Sequence, residues 1–129
     1  MKLIIAGSRD FENSSEFSEV IFEGLVSGII QYYNINEIVS GTAKGPDTMG
    51  KEYAEKNNIK VSEFPAEWDL YGKRAGMVRN KLMGDYADIL LAFWDGKSKG
   101  TKHMIDYMTK LGKPVIVERY NQKDNFDEF

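Results

Sequence analysis

Short apolar runs alternate with stretches of helical period along almost the whole chain, and this alternation restricts the fold more than any other feature. Residues 2–6 (KLIIA), 37–40 (EIVS), 59–64 (IKVSEF), 88–94 (DILLAFW) and 114–118 (PVIVE) have the length and apolar content of strands. Asn13 followed by Glu16 predicts a helix N-cap with its reciprocal acid. Phe17, Val20, Ile21, Leu25 and Ile29 then recur at helical spacing to about Tyr33. Pro46 suits the first turn of a second helix that stops near Asn57 and Asn58. Residues 65–73 read as a loop carrying Trp68 and Tyr71. Ala75, Val78, Leu82 and Tyr86 mark a third helical face. Thr101, Met104, Ile105, Met108 and Leu111 mark a fourth, halted by Gly112 and Pro114.

The order β-α-β-α-β-α-β-α-β predicts an α/β fold: a Rossmann-like, doubly wound parallel sheet of about five strands with helices on both faces. The expected strand order is 3-2-1-4-5, with a ligand crevice at the carboxyl ends of the strands, between the first and the fourth. A single domain over 1–119 and a polar, acidic tail over 120–129 are expected. The chain has 129 residues, room for one modest core. It has no cysteine and one histidine, so disulfides, Cys-ligated zinc and His-cluster metal sites drop out; neither metal nor cofactor is expected. The apolar run at 1–7 is too short for a signal peptide and meets Ser8-Arg9-Asp10, which favours a cytoplasmic protein; no stretch has membrane-spanning length.

The net charge of −3 argues against general duplex-DNA binding, which rests on phosphate neutralisation, and nucleic acid is not an expected partner. The charge is unevenly placed. Lys73, Arg74, Arg79 and Lys81 occupy one stretch without acids, and Lys97, Lys99 and Lys102 another. Local basic loops on an acidic body suit a small anionic ligand better than a long polyanion.

In the predicted sheet, the loops after the first, second and fourth strands share one edge. They read Gly7-Ser8-Arg9-Asp10-Phe11, Gly41-Thr42-Ala43-Lys44-Gly45-Pro46-Asp47, and Trp94-Asp95-Gly96-Lys97-Ser98-Lys99-Gly100-Thr101. Each combines glycine, a hydroxyl and a cation. Glycine lets backbone N–H groups approach a ligand, and a helix N-terminus offers unpaired donors to an anion. Ser8, Thr42, Ser98 and Thr101 can donate to phosphate oxygens, while Arg9, Lys44 and Lys99 neutralise them. None of the loops matches the dinucleotide fingerprint or the P-loop.

These motifs resemble the DUF2493 (YspA-like) branch of the SLOG superfamily, through Gly7-Ser8-Arg9 with Phe11 and through Gly41 to Asp47. Gly76-Met77-Val78-Arg79-Asn80-Lys81 through Ala87-Asp88, then Gly96 to Gly100-Thr101, is similar to the wider superfamily, which includes the LOG phosphoribohydrolases and DprA-like proteins. The resemblance runs from Met1 to about Val117. It implies a Rossmann-like fold and a site for nucleotides or their derivatives, with Arg79, Asn80, Asp95 and Gly96 joining the loop residues above. Arg74 and Lys73 are ligand contacts or surface cations, and Trp94 is a ligand wall or, more often at the end of a buried strand, core. By analogy it also implies a homo-oligomer that completes its site across a two-fold interface. The enzymatic branch places an arginine before the fourth strand, matched by Arg79, and a glutamate three residues after the Gly-Thr pair, where this chain has Met104. Its Pro-Gly-Gly loop opening is replaced by Trp94-Asp95-Gly96. These departures favour binding over phosphoribohydrolase activity and leave Asp95, Asp47 or Asp10 as substitute acids.

Other residues have two readings. Arg79 holds a phosphate or ribose, or is a solvated cation. Trp68 and Tyr71 stack on a base, or pack their loop down. Asp47 binds ribose hydroxyls, or complements a helix dipole. His103 is expected to face solvent. The leading function is a nucleotide-binding sensor, carrier or sequestering protein. A nucleotide hydrolase of the N-glycosidic type comes second, and single-stranded nucleic-acid binding of the DprA kind third.

Overall fold

The computed structural model describes residues 1–14 and 17–120. Strands β1 (Lys2–Gly7), β2 (Glu37–Ser40), β3 (Lys60–Glu63), β4 (Ile89–Trp94) and β5 (Val115–Arg119) form one sheet in the order β3-β2-β1-β4-β5. Every neighbouring pair is parallel. The helices are α1 (Glu19–Tyr33), α2 (Pro46–Lys56), the short α3 (Trp68–Tyr71), α4 (Ala75–Tyr86) and α5 (Lys99–Lys110). This is the expected doubly wound, Rossmann-like architecture.

Strand alternation sorts the core into two layers. Leu3 and Ile5 of β1, Ile38, Ile89, Leu91 and Phe93 face Phe22, Val26 and Ile29 of α1 and Ala54 of α2. Ile4 and Ala6, with Val39, Leu90 and Ala92, face Met83 of α4 and Met104 and Met108 of α5. Buried on both faces, β1 and β4 read as continuous apolar runs. The edge strands β3 and β5 are partly exposed. Each fully buried Leu or Ile contributes roughly 1.5–3 kcal/mol, so the two central strands hold the sheet.

Several local expectations are corrected. α1 starts at Glu19, not behind Asn13: Ser18 is its cap, accepting from the Ile21 amide at 3.3 Å. Glu16, the proposed partner of Asn13, lies outside the described residues. Phe11–Asn13 instead form a 3-10 turn that drops Phe11 into the core. The buried stripe of α1 is accordingly Phe22, Val26 and Ile29, and Val20 and Ile21 stand exposed at 82% and 70%. In α4 the inward residues are Ala75, Asn80, Met83 and Gly84, whereas Leu82 is exposed. Leu111 also faces outward. The physical reason in α4 is close approach: Gly84 packs against the Tyr107 ring with no room for a side chain. Residues 65–73 are not a plain loop, since α3 and a 3-10 turn at Gly72–Arg74 occupy its second half.

Tyr120, assigned by sequence to the tail, is buried against Phe11, and its hydroxyl donates to Asp10 at 2.6 Å. The rest of the expected tail, 121–129, lies outside the described residues. Among the described residues no helix is long and apolar enough to cross a membrane, and no group of three or more metal-ligating side chains gathers.

Candidate functional site

Because all five strands are parallel, the loops leaving β1, β2 and β4 meet at one sheet edge. β1 feeds α1 on one face and β4 feeds α5 on the other, and the parting of these connections opens a crevice. It is a cavity of about 570 Å³.

The loops are tied before any ligand arrives. The Ser8 amide donates to the Phe93 carbonyl at 3.0 Å, and Ser8 Oγ accepts from the Asp95 amide at 3.3 Å. Asp95 Oδ1 accepts from the amides of Lys97 and Ser98, each at 2.8 Å. Burial works against the Asp95 charge, but the two amides and Ser8 outweigh it and hold the carboxyl below its usual range. Trp94 Nε1 donates to the Ser98 carbonyl at 3.0 Å, and the Arg119 guanidinium covers the Trp94 ring. Ser98 caps α5, accepting from the Thr101 amide at 3.5 Å. The amides of Lys99 and Gly100, in the first turn at the cavity wall, have no intrahelical acceptor.

The loop after β2 is built around Gly41. A Cβ there would stand 2.5 Å from Arg79 Nη1 and 2.7 Å from Asp47 Oδ2, so only glycine lets these side chains approach each other. Arg79 Nη1 donates to the Gly41 carbonyl, and Nε donates to Asn80 Oδ1 at 3.0 Å. Burial lowers the Arg79 pKa and Arg9 lowers it further, while Asp47 opposes both. Arg9 and Arg79 thus share the cavity lining with Asp47 and Asp10. Next in the loop, Thr42 has φ of +64°. A β-branched residue in that left-handed region is strained by about 1–2 kcal/mol. Thr42→Gly is therefore expected to raise stability by about 0.5–1 kcal/mol after glycine's own entropy cost, read from urea denaturation; a destabilised variant would show that the hydroxyl outweighs the strain.

Asp47 is only 4% exposed. Burial pushes its carboxyl up to about 6, against the pull of Arg79 and of the Ala43 and Gly7 amides. A carboxyl whose folded pKa exceeds its unfolded value keeps its proton longer in the folded state. Its contribution to stability is full below the unfolded value and declines as pH rises through about 4 to 6, by roughly 2–3 kcal/mol. Asp47→Asn should flatten that decline in denaturation curves taken between about pH 4.5 and 7.5; an unchanged slope would assign it to other groups.

The structure gathers many of the sequence-nominated residues into one lining. Gly7, Ser8 and Arg9 come from the first loop, and Ala43 and Asp47 from the second. Asp95, Ser98, Lys99, Gly100 and Thr101 come from the third, with Arg79 and Asn80 from α4. Gly41, Thr42, Lys44 and Gly45 shape the second loop without lining the cavity, and Arg74, Trp94 and Gly96 also stand outside. Phe11 belongs to the core. The lining also includes Trp68 and Lys73, which sequence left undecided, and Gly76, Met77, Met83 and Met104, which it did not nominate. His103, expected to face solvent, lies half-buried in the lining. Its spacing of three from Gly100 was the available signal, since both occupy one face of α5.

The model of the YspA, cpYpsA-related SLOG family (YAcAr) matches residues 1–71. The chain belongs to this family. It is 30% identical over 121 residues to the Gene 61 protein of Mycobacterium phage D29, covering 89% of this chain and 94% of the phage protein. This YAcAr-family fold is also similar to the DNA processing protein A (DprA) of Streptococcus pneumoniae, with a TM-score of 0.69 at 18% identity over 90% of this chain. There the chain spans about half the neighbour, 49%. The DNA processing protein A of Helicobacter pylori, described with a single-stranded DNA binding mode, gives 0.66 at 23% identity over 99% of this chain and 70% of that one.

These neighbours overturn the expectation that nucleic acid is not a partner, because proteins of this fold include one described as binding single-stranded DNA. That expectation rested on a net charge averaged over the chain. In the structure Arg9, Lys73, Arg79 and Lys99 line the cavity together with Asp10, Asp47 and Asp95, so neither the net charge nor the basic stretches alone describe the site.

Proposed function

We propose that the cavity binds a nucleotide or nucleotide-derived small molecule. The observation that carries this reading is the composition of the lining. Arg9, Arg79, Lys99 and the first turn of α5 supply cations and free amides beside Asp10, Asp47 and Asp95, and the exposed Trp68 and Met77 supply apolar surface over the buried Met83 and Met104. A phosphate suits the cations and free amides, and a base suits the apolar surface. The volume of about 570 Å³ lies in the range of small-molecule sites. Binding in the cytoplasm, by a self-associating chain, belongs to the same reading.

The test is thermal denaturation with AMP, ADP-ribose, cyclic ADP-ribose and cyclic dinucleotides, followed by chromatography of each mixture. A raised melting temperature with intact ligand supports a binding protein. Release of free base or ribose phosphate would favour the hydrolase, with Asp47 as the first acid to examine. No shift with any compound would sink the reading.

A second reading, single-stranded nucleic acid with one nucleotide seated in the cavity, is favoured by one segment. Trp68 and Tyr71 are exposed at 54% and 38%, and Lys73 and Arg74 follow at once. Stacking rings next to cations suit a strand running past the cavity. This reading requires affinity for an oligonucleotide that exceeds that for its mononucleotide and falls steeply with salt.

A further inference from the structure

α4 and α5 meet at the cavity through Asn80 and His103. Asn80 is 6% exposed, and its amide is fully engaged. Oδ1 accepts from Arg79 Nε at 3.0 Å, and Nδ2 lies 3.2 Å from the Gly100 carbonyl and 3.1 Å from His103 Nδ1. Arg79 Nε can only donate and the Gly100 carbonyl can only accept, so the amide has a single consistent orientation. Nδ2 is therefore the atom that meets His103, and Nδ1 of the ring must accept. The imidazole proton is then carried on Nε2. Among the described residues, Nε2 has no hydrogen-bond partner.

We propose that His103 reads the ligand: held by Asn80 as the Nε2–H tautomer, it donates to an uncharged acceptor on the nucleoside part, a ring nitrogen, a base carbonyl or a ribose hydroxyl. This rests on the nucleotide reading above. Asn80 ties it to Arg79 and to the Gly100 carbonyl, so the ring stands where the cations of the lining meet its apolar residues. Met104 follows it on α5, and Asn80 stands between Met77 and Met83 on the facing stretch of α4. The ring is also kept neutral. Burial lowers its pKa and Lys81 lowers it further, with Asp106 opposing. Tyr107 stacks beside it at 6.4 Å. Arginines and a helix N-terminus attract any phosphate; a neutral donor with a fixed direction can discriminate among nucleosides, because a ligand without the matching acceptor leaves the donor unpaired.

The chain has a single histidine, so both ring nitrogens are assigned without ambiguity in nitrogen-15-labelled protein. Long-range proton–nitrogen spectra of the ligand-free protein near neutral pH should show Nε2 protonated and Nδ1 bare. A proton on Nδ1, or on both, overturns the proposal with no ligand involved. The four ribonucleosides and their 5′-monophosphates are then titrated into the wild type, His103→Gln and His103→Ala. Glutamine, whose amide nitrogen can donate from nearly the same place, should stay within about threefold of wild type, and alanine should lose about tenfold for nucleoside and monophosphate alike. Unchanged affinity in the alanine variant overturns the role of His103 and leaves the nucleotide reading standing. A loss confined to the monophosphates overturns the nucleoside assignment in favour of phosphate. If no compound binds wild type, both readings fall together.

Discussion

Arg79→Ala is expected to weaken binding of the best-shifting 5′-monophosphate by roughly 10- to 100-fold. Hydrogen bonds to a charged group are worth about 1.5–3 kcal/mol, and each 1.4 kcal/mol is a decade in affinity. Arg79 is already oriented by Asn80 and the Gly41 carbonyl, so little side-chain entropy remains to be lost when an anion arrives. Removing it also takes away the cation that faces Asp47, whose carboxyl should then hold its proton to higher pH. Arg79→Lys keeps charge but loses the planar fork and should fall between the two. Calorimetric titration of the three proteins checks the order. Wild-type affinity in the alanine variant would remove Arg79 from the site.

Phe11→Ala should have the largest effect on stability, a loss of about 3–5 kcal/mol. The ring is 7% exposed and touches four others: Phe93 at 4.6 Å between centroids, Tyr120 at 5.1 Å, Phe17 at 5.5 Å and Phe22 at 6.4 Å. Against a total of about 5–15 kcal/mol for a domain, the melting temperature should fall by roughly 10–20 °C. The same variant separates two roles for this residue. A ligand contact would weaken binding and leave the ligand-free melting temperature in place; a core residue does the reverse.

Phe11 also shows where the sequence stops being legible. The sheet order and its parallel sense followed from the alternation of strands and helices, and the apolar run of Ile89–Trp94 is too short for a core helix and so reads as a strand buried on both faces. Helix faces were harder. Two overlapping apolar stripes run along α1, and the choice between them depends on where Ser18 starts the helix, a decision made by the packing of Phe11 and Phe22 rather than by spacing. The three glycine-bearing loops were legible as a group because their chemistry repeats. The apolar part of the lining was not, since Met77, Met83 and Met104 at helical spacing look the same whether they meet a core or a ligand. His103 was hidden for a related reason: whether a half-buried imidazole faces water or a neighbour depends on Asn80, twenty-three residues away.

Tyr120 fixes one more property. β5 runs parallel to β1, so the chain reaches Tyr120 at the cavity edge, where its hydroxyl grips Asp10 of the first loop. Met1 is at the other end, its ammonium on the Asn34 carbonyl. A fluorophore or surface tether joined directly after Tyr120, in place of residues 121–129, therefore sets out from beside the first loop of the cavity, close enough to report on occupancy or to obstruct it. One attached ahead of Met1 starts a full strand length away and leaves the mouth clear.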